Sequence, residues 1–322
     1  MQKTKSMLAS EASPEPLLDY EEVIDIRELI YLVWEGKWIL ITTIISLGMA
    51  SFLYAISLQN VYKSDALLAP ADDNVGGGIA SNLSGQLGGL ASLAGVSLGD
   101  SVDKTTEAIE VLKSREFVSE FIKKHNILVE LMAVKGWDAD DDKLYIDPEM
   151  YDPVNKKWVR KVRAPKNPEP SKLEMYEEFS TRLNVIQSKK TGFITLSIEH
   201  LSPRVAQQWV FWLVEDINEV MKVRDTVEAN RSIGYLTAQL EKTSIAEMQN
   251  IFYQLIEEQT KTIMLASVRD QYVFRVIDPP IIPEKKSGPN RILLVFLGVF
   301  LGGAGGLVIV WARSLLRQKE KH

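Results

Sequence analysis

Cysteine is absent from this chain of 322 residues, which removes disulfides, cysteine–zinc sites and thiol nucleophiles at once. The absence leaves the compartment open, because a chain without cysteine suits an oxidising environment as well as a reducing one. Histidine is scarce: His125, His200 and His322 stand far apart and singly, so a His-rich metal site has no basis. A basic excess is missing too. The net charge of −6 argues against a nucleic-acid partner, which needs a concentrated basic surface. No glycine cluster is followed by Lys-Ser or Lys-Thr, so a phosphate-cradling loop is excluded. No Ser-His-Asp order, metal-ligand cluster or carboxylate pair stands out from the surface charge, and the chain reads as a non-enzyme that needs no cofactor.

What the sequence does contain is two long apolar runs. A mean hydropathy of −0.04 conceals them, because it pools them with a polar middle. Trp38 to Ile56 and Ile292 to Trp311 carry no charge over 19 and 20 residues, enough to cross a hydrocarbon core of ~30 Å as helices. The first lacks a small-residue cleavage site after it and follows an acidic leader, so it reads as a retained span and not a signal peptide. Inside the second, Gly298, Gly302 and Gly306 recur every fourth residue and share one helix face, the spacing that lets two helix backbones approach closely in lipid. Two spans put both termini on one side. Arg313, Arg317, Lys319 and Lys321, with Arg27 and Lys37, assign that side to the cytoplasm, although Lys63, Lys285, Lys286 and Arg291 dilute the bias.

The resulting division is a cytoplasmic segment over 1–37, a first span over 38–57, a large domain over 58–290, a second span over 291–311 and a cytoplasmic tail over 312–322. Val23 to Trp34 forms an amphipathic helical run leading into the first span. The large domain opens with a strand, VYKSDALLA, ended by Pro70. Asp72 to Gly99 reads either as a flexible loop or as a small-residue helix, and Asp103 to His125 as one helix. Asp138, Asp140, Asp142 and Glu149 imitate calcium-loop spacing, but Lys143 occupies the position that needs glycine, so an acidic surface turn is the better reading. Leu144–Ile146 and Trp158–Val162 are expected to pair as a long-looped hairpin. Its basic run, Lys156, Lys157, Arg160 and Lys161, is either a solvated face or a candidate contact for an anionic glycan or partner. Leu173–Leu183 reads as a helix and Leu183–Gln187 with Phe193–Glu199 as a hairpin. Base elements thus occupy 58–202 and 268–280.

Ser202-Pro203 starts a long helical region over 203–267, with serine to cap and proline at the first helical position. Continuous from Pro203 to Leu265 it would reach ~90 Å; the alternative is a helical hairpin, with Gly234 a weak point. Either way its apolar stripe exceeds what so small a monomer buries and calls for partner helices, most simply from identical subunits. Tyr272–Ile277 reads as a returning strand. Pro279, Pro280, Pro283 and Pro289 then stiffen a lead-in over 279–290, a candidate coupling segment between base and span. The fold class is α+β: two membrane helices flank a mixed base that carries the long helix or hairpin.

Four stretches together resemble the Wzz family of polysaccharide co-polymerases: IDIRELIYLVWEGKWILI, EAIEVLKSREFVSEFI, ITLSIEHLSPRVAQQWV, and VIDPPIIPEKKSGPNR running into the glycine-bearing span. The resemblance implies a bacterial inner-membrane protein with a periplasmic main domain, of the class without a kinase domain. It implies a ring-shaped homo-oligomer that sets lipopolysaccharide O-antigen chain length beside the O-antigen polymerase, which elongates glycan on undecaprenyl pyrophosphate. The runner-up is a periplasmic adaptor or scaffold for export of capsular or exopolysaccharide.

Overall fold

The computed structural model describes residues 34, 36–71 and 104–319. The expected helical run over Val23–Val33, the segment Asp72–Gly99 and the expected helix start at Asp103 lie outside them. The chain divides into two compact units, one from its two ends and one over Leu58–Asn290.

The first unit is a pair of helices, α1 (Lys37–Ser57) and α8 (Arg291–Lys319). The apolar stretches have mean hydropathies of 2.1 and 2.6 and bury little against protein, so both are long and apolar enough to cross a membrane. Helix α8 continues past Trp311 to Lys319.

The second unit is α+β. An antiparallel sheet runs in the order β6 (Leu183–Gln187), β7 (Ile194–His200), β1 (Tyr62–Pro70), β8 (Phe274–Asp278). Alternation sets its inner face: Ala66 and Leu68 of β1 and Ile194, Leu196 and Ile198 of β7 are buried. Gly192, at φ 74°, makes the β6–β7 turn that an L side chain would strain. Against the sheet lie α2 (Lys104–Leu112), α3 (Arg115–Lys124), α5 (Lys172–Arg182) and the first half of α6 (Pro203–Leu240). Trp209, Phe121, Phe179 and Phe274 are the largest fully buried side chains in this core, each contributing on the order of 1.5–3 kcal/mol by burial.

Two local expectations change. The helix expected over Asp103–His125 is two helices, because Ser114 takes an extended conformation and its hydroxyl accepts from Phe117 N–H, restarting the chain as a new N-cap. The long-looped hairpin does not form. After the short helix α4 (Leu128–Met132), β2 (Val134–Asp138) pairs with β3 (Lys143–Ile146), and β4 (Tyr151–Asp152) pairs with β5 (Lys157–Trp158). Local closure costs less entropy than a long loop, and aspartates fasten both turns: Asp138 accepts from Asp140 N–H, and Asp152 from Val154 and Asn155 N–H. The acidic β2–β3 turn is thus a hydrogen-bonded surface turn.

The long region is a helical hairpin and not one rod. Helix α6 ends at Leu240, a turn covers 241–245, and α7 (Ala246–Val268) packs back on α6. The break falls at Thr243-Ser244, weaker helix formers than the Leu, Gln, Glu and Lys around them, while Gly234 stays inside α6. Folding back lets the chain cover part of its own apolar stripe, with Leu236 and Leu255 meeting in one cleft.

Candidate functional site

The sequence-derived sites separate into four places. In the helical unit, Gly298, Gly302 and Gly306 all face residues of α1. A Cβ on Gly302 would stand 2.9 Å from Ile44 Cα and 3.0 Å from Thr43 O; one on Gly298 would collide with the Ser51 side chain, and one on Gly306 with Thr43 Oγ1. Gly305, one position off this face, has nothing within 4 Å. The other side answers with its own close approaches, Gly48 of α1 under Val299 and Gly36, the turn residue just before α1, under Val310. The two helices run antiparallel, and Ser51 Oγ donates to Leu294 O at 2.6 Å across the seam. Bare backbone on one helix meeting backbone and small side chains on the other gives contact area and interhelical hydrogen bonding where lipid offers no hydrophobic drive between helices.

The proline-bearing return is no free linker. Val61 N–H donates to Gly288 O at 3.0 Å, and Ser287 N–H to Val61 O at 2.7 Å. Ser64 Oγ donates to Ile281 O at 2.8 Å and Gln207 Nε2 to Pro280 O at 3.3 Å. Pro280 is buried, Pro283 and Pro289 half-buried, and Pro279 exposed. The strap thus rests on β1 and on the start of α6, and proline suits it because its own hydrogen bonds use carbonyls and few amides.

The basic run divides. Lys156, Lys157 and Lys161 are exposed, but Arg160 is committed: its Nη2 lies 2.7 Å from Glu174 Oε2 and also donates to Asn167 O, and its Nε donates to Pro168 O. Glu174 also closes the capping box of α5 with Ser171. The guanidinium, then the Ser171 N–H and Lys166, hold the Glu174 carboxyl far below the usual range.

The fourth place is the hairpin. Beyond Met221, Ala229 is the one buried residue among the described residues of α6, while Val223, Val227 and Tyr235 are 51%, 52% and 66% exposed. On α7, Met248, Ile251 and Leu255 are exposed at helical spacing.

Three polar clusters join the hairpin to its mount, and the sequence reading found none of them as sites. Asn218, inside the helical stripe, is buried and fully used: its Oδ1 accepts from Val273 and Phe274 N–H, and its Nδ2 donates to Val214 O and Phe274 O. Asp216 takes Lys124 Nζ at 2.6 Å and His125 Nε2 at 2.9 Å, with the imidazole stacked on Trp212. Asp225 accepts from Tyr272 at 2.6 Å and pairs with Lys104 at 3.0 Å; burial, then this bond, push the Tyr272 hydroxyl up to about 12. A polar residue interrupting an apolar helix stripe was the available signal. His200 is likewise internal: its Nδ1 accepts from Ser202 N–H, its Nε2 faces Glu130 O, and burial lowers its pKa to about 4.

Two membrane-length helices, one before and one after an α+β unit with a strapped return and a helical hairpin, define the architecture of the described residues. The family model described as "Wzz: Chain length determinant protein" matches residues 22–125. Two Escherichia coli proteins described as "Chain length determinant protein" are 20% and 18% identical, each over 92% of this chain and 94% of the relative. Among solved structures, a "full-length bacterial polysaccharide co-polymerase" is similar at 14% identity and TM-score 0.35, covering 91% of this chain and 99% of that one. A WzzB fragment from Salmonella Typhimurium is similar at 15% identity and TM-score 0.26, covering 71% and 100%. The chain is thus similar to the Wzz family model over residues 22–125 and to chain length determinant proteins along nearly its whole length.

Proposed function

We propose that this chain regulates, without catalysing, the length of a lipopolysaccharide O-antigen polysaccharide. It acts as a ring-shaped homo-oligomer in the bacterial inner membrane, both termini cytoplasmic and Leu58–Asn290 periplasmic. The O-antigen polymerase and its undecaprenyl-pyrophosphate-linked glycan are its partners. The observation that carries this reading is the exposed apolar stripe of the hairpin, which its own chain leaves uncovered at Val223, Val227 and Tyr235 and which a neighbouring copy would cover. Its similarity to chain length determinant proteins supports the polysaccharide; a non-catalytic role is supported by the internal hydrogen bonding of His125, His200 and Asp216. In this scheme the glycine seam keeps each subunit's helix pair together and the proline strap transmits between spans and base.

The test deletes the gene and resolves lipopolysaccharide by gel. Loss of a modal cluster with polymer still present is expected. Complete loss of polymer points to an enzyme, and an unchanged ladder removes O-antigen as the substrate. Complementation with Val223→Glu/Val227→Glu separates assembly from expression: crosslinked oligomer and modal length should fall together.

A further inference from the structure

Between Pro153 and Pro168 a chain of net charge −6 carries six cations and no carboxylate. We propose that four of them, Lys156, Lys157, Lys161 and Arg163, form a cationic rail that binds a linear polysaccharide bearing carboxylates. This rests on the polysaccharide reading above and adds the chemistry of the sugar and the residues that meet it.

The local fold builds the rail. In the β4–β5 hairpin Tyr151 pairs with Trp158 and Asp152 with Lys157, the two rings edge-on at 5.1 Å between centroids. Val159 N–H donates to Met150 O one rung further on. From Lys157 to Arg163 exposure alternates strictly: Lys157, Val159, Lys161 and Arg163 are exposed, with Trp158, Arg160 and Val162 half-buried between them. This is the two-residue period of an extended chain, so the exposed side chains share one edge, with ~6.6 Å between successive members. Arg160 pins the other edge through Glu174, Asn167 O and Pro168 O. At the turn, Lys156 holds φ 51°, a left-handed conformation that glycine adopts at less cost, and it adds one more cation to the row.

The acids along this run do not neutralise the rail. Asp152 lies across from Lys157, but its carboxylate accepts from Val154 N–H, Asn155 N–H and Asn155 Nδ2. Asp147 accepts from Glu149 N–H, and Glu174 holds Arg160 and Lys166. Glu149 and Glu169 are exposed beyond the two ends of the run. Among the described residues, no carboxylate stands within ion-pair distance of Lys156, Lys157, Lys161 or Arg163. A protein partner is a poor match, because protein interfaces are depleted in lysine and sealed by apolar and aromatic groups. The large apolar side chains exposed on this run are two valines, Val154 and Val159. A row of long-stemmed, hydrated cations fits a linear polyanion, whose charges repeat along a chain and need no fixed register. Lysine- and arginine-rich runs of this length also serve as patches for acidic glycans of the heparin kind.

The test follows the fluorescence anisotropy of end-labelled oligogalacturonate, a linear chain of carboxylated sugars, with the full chain in neutral detergent. Binding is expected, with dextran of equal length left unbound. For four contacts at the ~0.7 slope per contact of a single-stranded polyanion, affinity should fall roughly fiftyfold between about 50 and 200 mM salt. Lys161→Ser/Arg163→Ser should halve that slope, leaving roughly a sevenfold fall. Lys189→Ser/Lys190→Ser removes the same charge from the exposed β6–β7 turn and should leave affinity and slope unchanged. Equal losses from the two pairs reduce the effect to net charge and overturn the rail. So does tighter binding of poly-L-glutamate or oligothymidylate at matched charge, which would assign the row to a protein or a nucleic acid. The gene deletion above reports on the underlying reading by itself: an unchanged polysaccharide ladder removes that reading, whereas absent or unselective oligogalacturonate binding removes the rail.

Discussion

Gly302→Leu tests the seam most directly. An added Cβ would lie 2.9 Å from Ile44 Cα and 3.0 Å from Thr43 O, both backbone atoms that no rotamer change can move aside. Restoring ordinary carbon contact requires the helices to part by roughly 0.6–1.1 Å, even for alanine. Such a gap forfeits about a quarter to a half of each dispersion well. Spread over a seam of some tens of atom pairs at ~0.1–0.2 kcal/mol each, the loss is about 1–3 kcal/mol, or roughly 5- to 150-fold in helix pairing. Leucine adds the bulk of its branched tip. The assay exploits the missing cysteines: Gly48→Cys and Val299→Cys face each other, an added Cβ on Gly48 lying 3.2 Å from Val299 Cγ2, within reach of a disulfide. After oxidation in membranes and proteolytic nicking of the middle unit, the N- and C-terminal fragments should stay joined on a non-reducing gel. Gly302→Leu should slow this crosslink about tenfold or more. A rate unchanged by the substitution refutes the reasoning. Crosslinked dimers in place of joined fragments would assign the seam to neighbouring copies.

Asn218→Ala should lower stability by about 3 kcal/mol, since it strands buried backbone groups of Val273 and Phe274; thermal unfolding in detergent followed by tryptophan fluorescence measures it, and a loss under ~1 kcal/mol contradicts the clamp. His200 is depressed from 6.5 to about 4 by burial, so the unfolded chain binds the extra proton between these values and stability falls as pH drops through that window, by up to about 3 kcal/mol. His200→Asn should flatten this part of the profile, and identical slopes for both proteins would refute the attribution. Arg160→Ala should destabilise by about 2 kcal/mol through Glu174 and the α5 cap, whereas Lys156→Ala and Lys157→Ala should leave the melting temperature within error.

Periodicity made most of the framework readable. Alternation in Phe193–Glu199 gave β7 its buried face, Ser202-Pro203 marked the start of α6 to the residue, and charge-free length identified α1 and α8. What stayed hidden depends on closure in space. Nothing local shows that Lys143–Ile146 prefers the strand before it to the one after, or that α6 turns at Lys242 and not at Gly234. Arg160 reads like its lysine neighbours until Glu174 is brought beside it by the fold. Asn218 looks like a flaw in an apolar stripe, and only the arrival of Val273 and Phe274, more than fifty residues later, turns it into a clamp.

The pairing of Val61 with Ser287 and Gly288 has a consequence for how such a chain can vary. Because the incoming and outgoing segments touch, everything between them is a cassette spliced into a helix pair at a single point. The turn over 241–245 is a second such point, at the far end of the cassette. Whole helical turns added to both arms there would change the reach of the hairpin by ~5.4 Å per turn. The core, the clamp at Asn218 and the geometry at the splice would stay as they are. Length in this architecture is an adjustable dimension, decoupled from the part that holds the molecule in place.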